Sequence, residues 1–365
     1  MKVECTRDKL AHAIAGAEKI TGKNLTLPVL GCILIEAKNN QLIVRSTNLD
    51  LGIEITVPVK VDEEGIIAVP GGILSSFISQ IQSKNVMLET VEGNLKVSTP
   101  QNSTVIKSML HEDFPKIPVI EDGKSFSIAA QQFVQGLQSV WYSSSTSSMK
   151  PELSSVYVYA DGDEAVFVAT DSFRLAEKRI PLKNSKEFPS ILIPHRNVLE
   201  IIRTLEGSKD EVQVKMNKNQ ISFAFEGIYL TSRIVDGVFP DYRQIIPKEF
   251  KTETIVLKAD FQQALKIANI FSDAFKQVNV KVDPSKKIFE LKTRNSDVGE
   301  NVNRIDGALS GDPIEINFNY KYIVDSFQSL NSDSIALQFA ALNRPMIMKG
   351  VSDSSFTYLV MPMNK

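Results

Sequence analysis

Apolar residues recur at the three- and four-residue spacing of a helix in three separate stretches of the chain. The stretches are residues 8–21, 131–144 and 259–272. A second stretch with the same spacing follows each of them, and these begin at Val69, Ile193 and Phe318. The pattern therefore predicts two helices in each of three successive parts of the chain.

The segments between the helical stretches alternate apolar and polar positions, which is the pattern of half-buried strands. Three of them are pairs of β-rich runs split by a polar turn, as in hairpins: CILIEAKNNQLIVRSTN, VYVYADGDEAVFVAT and NVKVDPSKKIFELKT. Further alternating runs occupy residues 85–99, 211–233 and 334–353. Antiparallel sheets combined with separate helices are typical of the α+β class.

These elements repeat with a period near 124 residues. Three sets of equivalent positions carry the period: Leu10, Phe133 and Phe261; Pro70, Pro194 and Asn319; Asn48, Asp171 and Asn295. Because three independent sets share one period, the chain is interpreted as three tandem copies of one unit. The predicted domains are residues 1–120, 121–248 and 249–365, called copy one, copy two and copy three below.

Composition narrows the class of protein. The 365 residues include 41 Lys and Arg against 43 Asp and Glu, so the net charge is −2. That balance argues against a protein that coats DNA through charge alone. No apolar run reaches the roughly 18 residues of a membrane span, and charged residues fill the start of the chain where an export signal needs apolar ones. With only Cys5 and Cys32 present, no disulfide framework is expected, and we predict a cytoplasmic location.

The sequence offers little chemistry for catalysis. It lacks the common phosphate-binding, nucleophile and zinc motifs, and its three histidines are scattered over different elements. We therefore predict no catalytic residue, no metal site and no cofactor. A hydrolase built around Ser172 is an alternative, but Asp171 and Ser172 are residue types that turns favour.

Four segments carry a resemblance to a known family: TLPVLGCILIEA (26–37), VFVATDSFRLAEKRI (166–180), GVFPDYRQIIP (237–247) and YLVMPM (358–363). In order, spacing and position they resemble the bacterial DNA polymerase III beta subunit, the sliding clamp. The resemblance implies three similar domains, each with two helices and antiparallel sheets, and two chains joined head to tail in a closed ring. In such a ring the helices line the hole and the sheets form the rim.

The resemblance also implies an apolar pocket between copies two and three that takes short linear motifs of partner proteins. The matching positions are Leu153, Thr170, Ser172, Phe173, Arg174, Leu175, Pro240, Gln244, Ile245, Phe275, Asn343, Pro345, Tyr358, Val360, Met361, Pro362 and Met363. Several of the apolar ones could equally be core residues. The stretch Met361 to Met363 favours a pocket, because chain ends are usually solvated.

This chain departs from the usual family pattern at five positions. Ser172 and Phe173 stand where relatives often have Gly and His, Gln244 where a basic residue can occur, and Asn343 where a small apolar one can. Asn24 occupies a loop position that can be Arg. The four changes at the pocket are expected to shift its motif preference, and the change at Asn24 is expected to weaken one DNA contact.

The family resemblance further implies residues for DNA and for the second chain. The candidates for contacts with duplex DNA are Lys23, Asn24, Lys150, Arg196, Arg203, Lys266 and Lys321, and Lys or Arg side chains facing phosphates would give salt-sensitive attraction without sequence preference. The candidates for the dimer interface are Thr104, Ile106, Ile270 and Phe271. For any one of these residues, an ordinary surface or core role is the alternative.

The leading hypothesis is a non-enzymatic clamp that tethers replicative and repair polymerases to double-stranded DNA. The expected partners are the DNA polymerase III catalytic subunit, other polymerases or repair proteins, an ATP-dependent clamp loader and a second copy of the chain. The alternative is a three-domain scaffold on the same fold that binds peptides without encircling DNA.

Overall fold

The structure is a computed structural model that describes residues 1–22, 26–181, 188–208 and 211–363. In these ranges the α-helices are α1 (Arg7–Glu18), α2 (Gly71–Gln80), α3 (Ala130–Val140), α4 (His195–Leu205), α5 (Lys258–Ile270) and α6 (Tyr320–Asp325). The prediction of two helices per copy is confirmed. The predicted helices are too long at the carboxyl end, because the chain turns into short 3-10 segments at Trp141–Ser143 and Ser326–Gln328.

The strands of each copy follow the same order around the two helices. Copy one holds β1 (Lys2–Thr6), β2 (Cys32–Lys38), β3 (Gln41–Thr47), β4 (Leu51–Pro58), β5 (Lys60–Glu63), β6 (Gly65–Pro70), β7 (Asn85–Val91), β8 (Asn94–Ser98) and β9 (Ser103–Ile106). Copy two holds β10 (Lys124–Ala129), β11 (Ser155–Asp161), β12 (Glu164–Thr170), β13 (Arg174–Pro181), β14 (Ile191–Pro194), β15 (Glu211–Met216), β16 (Gln220–Phe225) and β17 (Ile228–Arg233). Copy three holds β18 (Thr252–Leu257), β19 (Gln277–Asp283), β20 (Ile288–Asn295), β21 (Gly299–Arg304), β22 (Gly307–Gly311), β23 (Ile314–Asn319), β24 (Ser334–Phe339), β25 (Met346–Gly350) and β26 (Phe356–Val360).

By compactness the chain forms two units that do not follow the repeat. Unit 1 comprises residues 1–134 and 196–234. Its described strands form a sheet in the order β5-β1-β7-β8-β9 and a larger sheet in the order β10-β15-β16-β17-β4-β3-β2-β6. The larger sheet is continuous across two copies, because β4 of copy one pairs antiparallel with β17 of copy two, with Ile55 opposite Ile228.

Unit 2 comprises residues 135–195 and 235–365. Its described strands form a sheet in the order β14-β11-β12-β13-β26-β25-β24-β18-β22 and a smaller one in the order β21-β20-β19-β23. Here β13 of copy two pairs antiparallel with β26 of copy three, with Leu175 opposite Leu359. The same two strand positions of the repeat therefore form both junctions between copies.

The core of each unit lies between its helices and its sheets. The four residues that define the first helical pattern, Leu10, Ala13, Ile14 and Ala17, are all buried on one face of α1. In α4 the face formed by Val198, Ile201, Ile202 and Leu205 is buried in the same way. Burying these stripes against the sheets removes apolar surface from water, which is the dominant stabilising contribution to such a fold.

The cysteines, the possible metal ligands and the helix lengths bear on the disulfides, metal sites and membrane spans that the sequence argues against. Cys5 and Cys32 are free and buried, and burial raises the pKa of the Cys5 thiol to about 12, so this group stays protonated. Within the described ranges, no group of three or more His, Cys, Asp or Glu side chains is arranged to hold a metal ion. Among the described residues no helix has both the length and the apolar character that crossing a membrane would take.

Candidate functional site

The candidate peptide pocket is built on the antiparallel pair of β13 and β26. Arg174 lies opposite Val360 at one end of this pair. Leu175, Tyr358 and Val360 are fully buried there, so they support the site from below. Burial is nearly continuous in both strands, from Leu175 to Lys178 in β13 and from Tyr358 to Val360 in β26.

A tight turn precedes β13 and presents Phe173 to solvent. The Asp171 carboxylate accepts hydrogen bonds from the backbone N–H groups of Phe173 and Arg174, both at 3.0 Å. Ser172 has a φ of 78°, in the left-handed region that few residues other than Gly, Asn and Asp adopt. The turn leaves the Phe173 side chain 59% exposed. Ser172 is thus a turn residue. The sequence favoured this role over that of a nucleophile.

Arg174 connects this turn to α6 of copy three. Its guanidinium donates to Asp171 at 2.9 Å, forms an ion pair with Asp325, and lies 4.8 Å from the centre of the Tyr322 ring. Burial opposes the charge of Arg174, but Tyr358 and the two carboxylates outweigh that effect, and the net result is a raised pKa. Arg174 therefore stays charged, and it fixes the turn relative to the helix.

The end of the described chain is held by main-chain hydrogen bonds. The Met361 N–H donates to the Phe173 carbonyl at 2.8 Å, and the Met363 N–H donates to the Asn317 carbonyl at 2.8 Å. The Met361 side chain is half-buried against the apolar cluster beneath the site. This cluster comprises Val166, Val168, Leu175, Leu192, Phe239, Tyr242, Ile347 and Leu359. Met361, Pro362 and Met363 are thus ordered at the site, each with part of its surface exposed.

After the strand pair and the Phe173 turn, a third wall of the pocket comes from the last residues of copy two, around a 3-10 turn at Tyr242–Ile245. Phe239 and Tyr242 point inward, and Phe239 stacks on Tyr157 with ring centres 4.9 Å apart. The flanking candidate residues Pro240, Gln244 and Ile245 remain exposed. Phe239 and Tyr242 therefore anchor this segment in the core, and Pro240, Gln244 and Ile245 lie at the surface.

The Tyr242 hydroxyl belongs to a polar network that the sequence did not reveal. It donates to the buried Glu177 carboxylate and lies 2.8 Å from the Tyr159 hydroxyl. The other oxygen of Glu177 accepts from Arg179 at 2.9 Å. Burial, together with the Glu177 carboxylate, raises the pKa of Tyr242, so its proton is retained. The buried Glu177 carboxylate needs these donors, because burying a charge without partners is costly.

Of the remaining pocket candidates, Thr170 belongs to the turn before β13, because its hydroxyl donates to the Arg174 carbonyl at 2.7 Å. The others lie in other parts of the chain. Leu153 is buried and its N–H donates to the Lys150 carbonyl at 3.0 Å in another turn. Pro345 is buried, Asn343 is exposed, and Phe275 is 73% exposed after α5. Tyr322 and Asp325 contact Arg174 directly, although the sequence-based list did not contain them.

Five of the DNA-contact candidates lie on the described surface. Lys150, Arg196, Arg203, Lys266 and Lys321 are all exposed. Arg196 pairs with Asp50 at 3.5 Å and Arg203 with Glu200 at 2.6 Å. The other two candidates, Lys23 and Asn24, lie outside the described residues. Within their observed bounds the six helices carry seven Lys or Arg and five Asp or Glu, a small positive surplus.

The dimer candidates lie at or near free sheet edges. Thr104 and Ile106 belong to β9, the last strand of its sheet, and Ile106 is buried while Val105 is 55% exposed. Ile270 is 65% exposed and ends α5, and Phe271 follows it. The strand β21, also at a sheet edge, adds Val302 with 49% exposure, which the sequence-based list did not contain.

Three tandem copies whose sheets join through the same two strands define the three-domain DNA-clamp fold. Family models match the whole repeat in order: the N-terminal domain of the DNA polymerase III beta subunit at residues 1–118, its central domain at 127–241 and its C-terminal domain at 243–364. The chain belongs to the DNA polymerase III beta subunit family, and the resemblance stated from the sequence is confirmed.

Individual relatives agree along the full length. The beta sliding clamp of Staphylococcus epidermidis is 26% identical over 374 residues, covering 99% of both chains, and that of Synechococcus elongatus is 25% identical over 372 residues, also covering 99% of both. Among solved structures, the Bacillus subtilis sliding clamp has a TM-score of 0.94 at 22% identity and covers 100% of this chain and 99% of its own. A Pseudomonas aeruginosa clamp bound to griselimycin has a TM-score of 0.94 at 21% identity, with full coverage of both chains. These structures establish the three-domain α+β fold.

Proposed function

We propose that this protein is a DNA sliding clamp, which encircles duplex DNA and tethers replicative and repair polymerases for processive synthesis. The observation that carries the proposal is the ordered match of all three copies to the three domains of one family. The proposed activity is mechanical, so it needs no catalytic residue and no cofactor. The proposed site of action is the cytoplasm, where bacterial DNA lies.

The internal repeat supports closure into a ring of two chains. Within one chain, β4 pairs with β17 and β13 pairs with β26. By the repeat, β21 is the counterpart of β4 and β13, and β9 is the counterpart of β17 and β26. Both β21 and β9 lie at sheet edges. A second chain arranged head to tail satisfies both, because its β9 meets β21 and its β21 meets β9.

The repeat also gives the register of the proposed interface. Gly52 faces Thr231 at one junction and Leu175 faces Leu359 at the other. Following the hairpin pairings around each copy, Glu300 is the counterpart of Gly52 and Leu175, and Val105 is the counterpart of Thr231 and Leu359. We therefore place Glu300 of one chain opposite Val105 of the other. Thr104 and Ile106 would contribute chiefly their main chain, and Ile270 and Phe271 would flank the pair.

The small positive net charge of the helices supports weak direct binding to DNA. A surplus of two positive charges provides few phosphate contacts, and each contact lowers the logarithm of affinity by about 0.9 per decade of salt. Topological closure then supplies the retention. An ATP-dependent loader is the proposed partner that opens the ring.

The pocket at β13 and β26 is proposed to take linear motifs from the DNA polymerase III catalytic subunit and from other polymerases or repair proteins. It combines an apolar base, the partly exposed Met361, Pro362 and Met363, and the exposed Phe173. Such a surface suits a short apolar anchor, and methionine adapts to several shapes.

The decisive experiment loads the protein onto nicked circular DNA with a clamp loader and ATP, then linearises the DNA. We expect the protein to stay on circles at high salt and to leave linear DNA. Equal retention on both forms would reject encirclement and leave the peptide-binding scaffold. Charge reversal of Arg196, Arg203 and Lys266 to Glu should reduce loading, whereas the same change at the exposed Lys60, Lys218 and Lys287 should not.

Molar mass in solution tests the ring separately. We expect about twice the chain mass of 40.5 kDa. Ile270→Asp should shift the protein toward monomer, and Val351→Asp, at a position that is 55% exposed, serves as the matched control. A wild-type protein that is strictly monomeric at micromolar concentration would contradict the interface.

A further inference from the structure

A cavity of about 330 Å³ opens in unit 1 between α1 and the carboxyl end of α4. Its floor is aliphatic and comes from Ile53 and Ile55 on β4 and Ile228 on β17. Four exposed polar side chains stand at its rim: His12, Lys19, Arg203 and Glu226. A concave apolar site of roughly 300 Å³ with a few polar groups has the general character of a small-molecule site.

The repeat supplies an internal comparison for this cavity. The starts of α1 and α3, at Arg7 and Ala130, are equivalent, as are the starts of α4 and α6, at His195 and Tyr320. Counting from these starts, the cavity residues Gly16, Lys19 and Thr204 have as counterparts Ser139, Tyr142 and Ser329. These three lie in unit 2, at the junction between copies two and three.

At the counterpart junction, buried side chains of the protein fill the corresponding space, and we call this arrangement the seal. The Tyr142 hydroxyl donates to the Ser329 hydroxyl at 3.1 Å, and that hydroxyl donates to the Ser139 carbonyl at 2.9 Å. All three residues are buried. The Tyr142 ring lies 6.2 Å from the Tyr358 ring, so an aromatic side chain with a polar end fills this space.

The first junction lacks the two side-chain parts of that seal, the tyrosine and the bridging hydroxyl, although Gly16 keeps the backbone carbonyl that Ser139 contributes. Gly16 has no side chain, and a Cβ built there would come within 3.1 Å of the Ile55 side chain at the cavity floor. Thr204 donates to the Glu200 carbonyl of its own helix at 2.8 Å and does not bridge to α1. Lys19 stands where the tyrosine would be and is exposed.

We propose that this cavity binds a small aromatic anion. The aromatic ring takes the place that the Tyr142 ring occupies in the counterpart junction, over Ile53, Ile55 and Ile228. The anionic group pairs with the Lys19 ammonium at the rim. Arg203 is already paired with Glu200, and Glu226 adds a carboxylate to the rim, so the site suits a ligand with a single anionic group. This site is separate from the peptide pocket and does not depend on encirclement of DNA.

Phenyl phosphate is a suitable probe, and titration of the full-length protein by NMR measures its binding. The double variant Gly16→Ser, Lys19→Tyr places the residues of the other junction, Ser139 and Tyr142, at these two positions. It should weaken binding at least about tenfold, because it fills the space and removes the charge-assisted contact. Lys19→Gln, which keeps much of the side-chain length without the charge, should weaken phenyl phosphate but leave benzyl alcohol unchanged.

Three outcomes would overturn the proposal. The first is unchanged binding of phenyl phosphate to the double variant. The second is equal affinity for inorganic phosphate, which would show that the aromatic ring contributes nothing. The third is loss of binding on Lys9→Gln, an exposed lysine of the same helix that does not line the cavity. Unchanged thermal unfolding of each variant separates loss of the site from loss of the fold, and Lys19→Gln provides the test if the double variant unfolds.

Discussion

The Arg174 guanidinium lies 4.8 Å from the centre of the Tyr322 ring, and this contact joins the turn of copy two to a helix of copy three. Two carboxylates, from Asp171 and Asp325, share the same guanidinium. Phe173 in turn lies against Tyr322 with ring centres 6.3 Å apart. The largely buried Arg174 guanidinium therefore positions the exposed face of the peptide pocket, which includes Phe173.

Replacing Arg174 by Ala is expected to lower the free energy of unfolding by about 1–3 kcal/mol, because it leaves two partly buried carboxylates without their partner. It should also weaken the binding of a partner peptide. Urea unfolding and fluorescence anisotropy measure the two effects. Lys60→Ala, which breaks an exposed pair with Asp62 at 3.1 Å, should change stability by less than about 1 kcal/mol. Equal effects of the two substitutions would contradict the role of Arg174.

Tyr242→Phe removes one hydroxyl from beneath the third wall of the pocket. Because the buried Glu177 carboxylate then loses a donor, we expect a loss of about 1–3 kcal/mol in stability. The wall formed by Pro240, Gln244 and Ile245 should become less well positioned. Peptide affinity should therefore fall, although the substitution removes only one hydroxyl group beneath the wall. Tyr229→Phe, whose hydroxyl donates to the Pro118 carbonyl at 3.2 Å, is the matched control. Full peptide affinity in Tyr242→Phe would argue against anchoring by Glu177.

Deleting residues 361–365 is expected to abolish binding of a partner peptide without unfolding the chain. The deletion removes the bonds from Met361 to Phe173 and from Met363 to Asn317, but it leaves β26 in place. Calorimetry of peptide binding, with circular dichroism as a check on folding, measures the outcome. Deletion of residues 364–365 alone is the control and should leave affinity unchanged. Unchanged affinity in the longer deletion would refute the assignment of Met361 and Met363.

Acid should weaken the contact between Lys178 and Asp353. The buried Lys178 ammonium lies 3.4 Å from the Asp353 carboxylate. Burial opposes the charge of Asp353, but hydrogen bonds from Ser355 and the charge of Lys178 outweigh it, so its pKa falls below the ordinary 3.8. A lowered pKa means that the stabilisation is complete well above pH 3.8 and disappears as the pH falls through the lowered value.

Asp353→Asn should therefore reduce the unfolding temperature at pH 7, and its difference from the wild type should shrink as the pH falls below about 4. Thermal unfolding across this range measures the difference. Asp62→Asn, at an exposed pair with Lys60, should show a much smaller change. A difference that stays constant down to pH 3 would mean that the Asp353 charge does not contribute.

The sequence predicted the repeat well because its period and its apolar patterns are local properties. The helices containing Leu10 and Val198 appear where the spacing places them. Their ends were less accurate, because a 3-10 turn such as Ser326–Gln328 continues the same spacing. The two compact units could not be predicted, since the pairings of β4 with β17 and of β13 with β26 join distant segments.

For the pocket, the family resemblance identified Arg174, Leu175 and Met361, whose contacts the structure describes. It did not identify Tyr322 or Asp325, because the partners of Arg174 lie about 150 residues away in the chain. It also gave no sign that Glu177 is buried beneath Tyr242. Polar partners of this kind become visible only when tertiary packing brings them together.

The discontinuous make-up of unit 1 has a consequence for synthesis of the chain. Its larger sheet needs β4, which ends at Pro58, and β17, which ends at Arg233. The junction therefore cannot form until roughly 175 further residues have been translated, which takes on the order of ten seconds or more. During that interval the edge of β4 is an open template for pairing with another nascent chain. A chaperone that delays release of copy one would protect that edge, and the sheet would close only after copy two emerges from the ribosome.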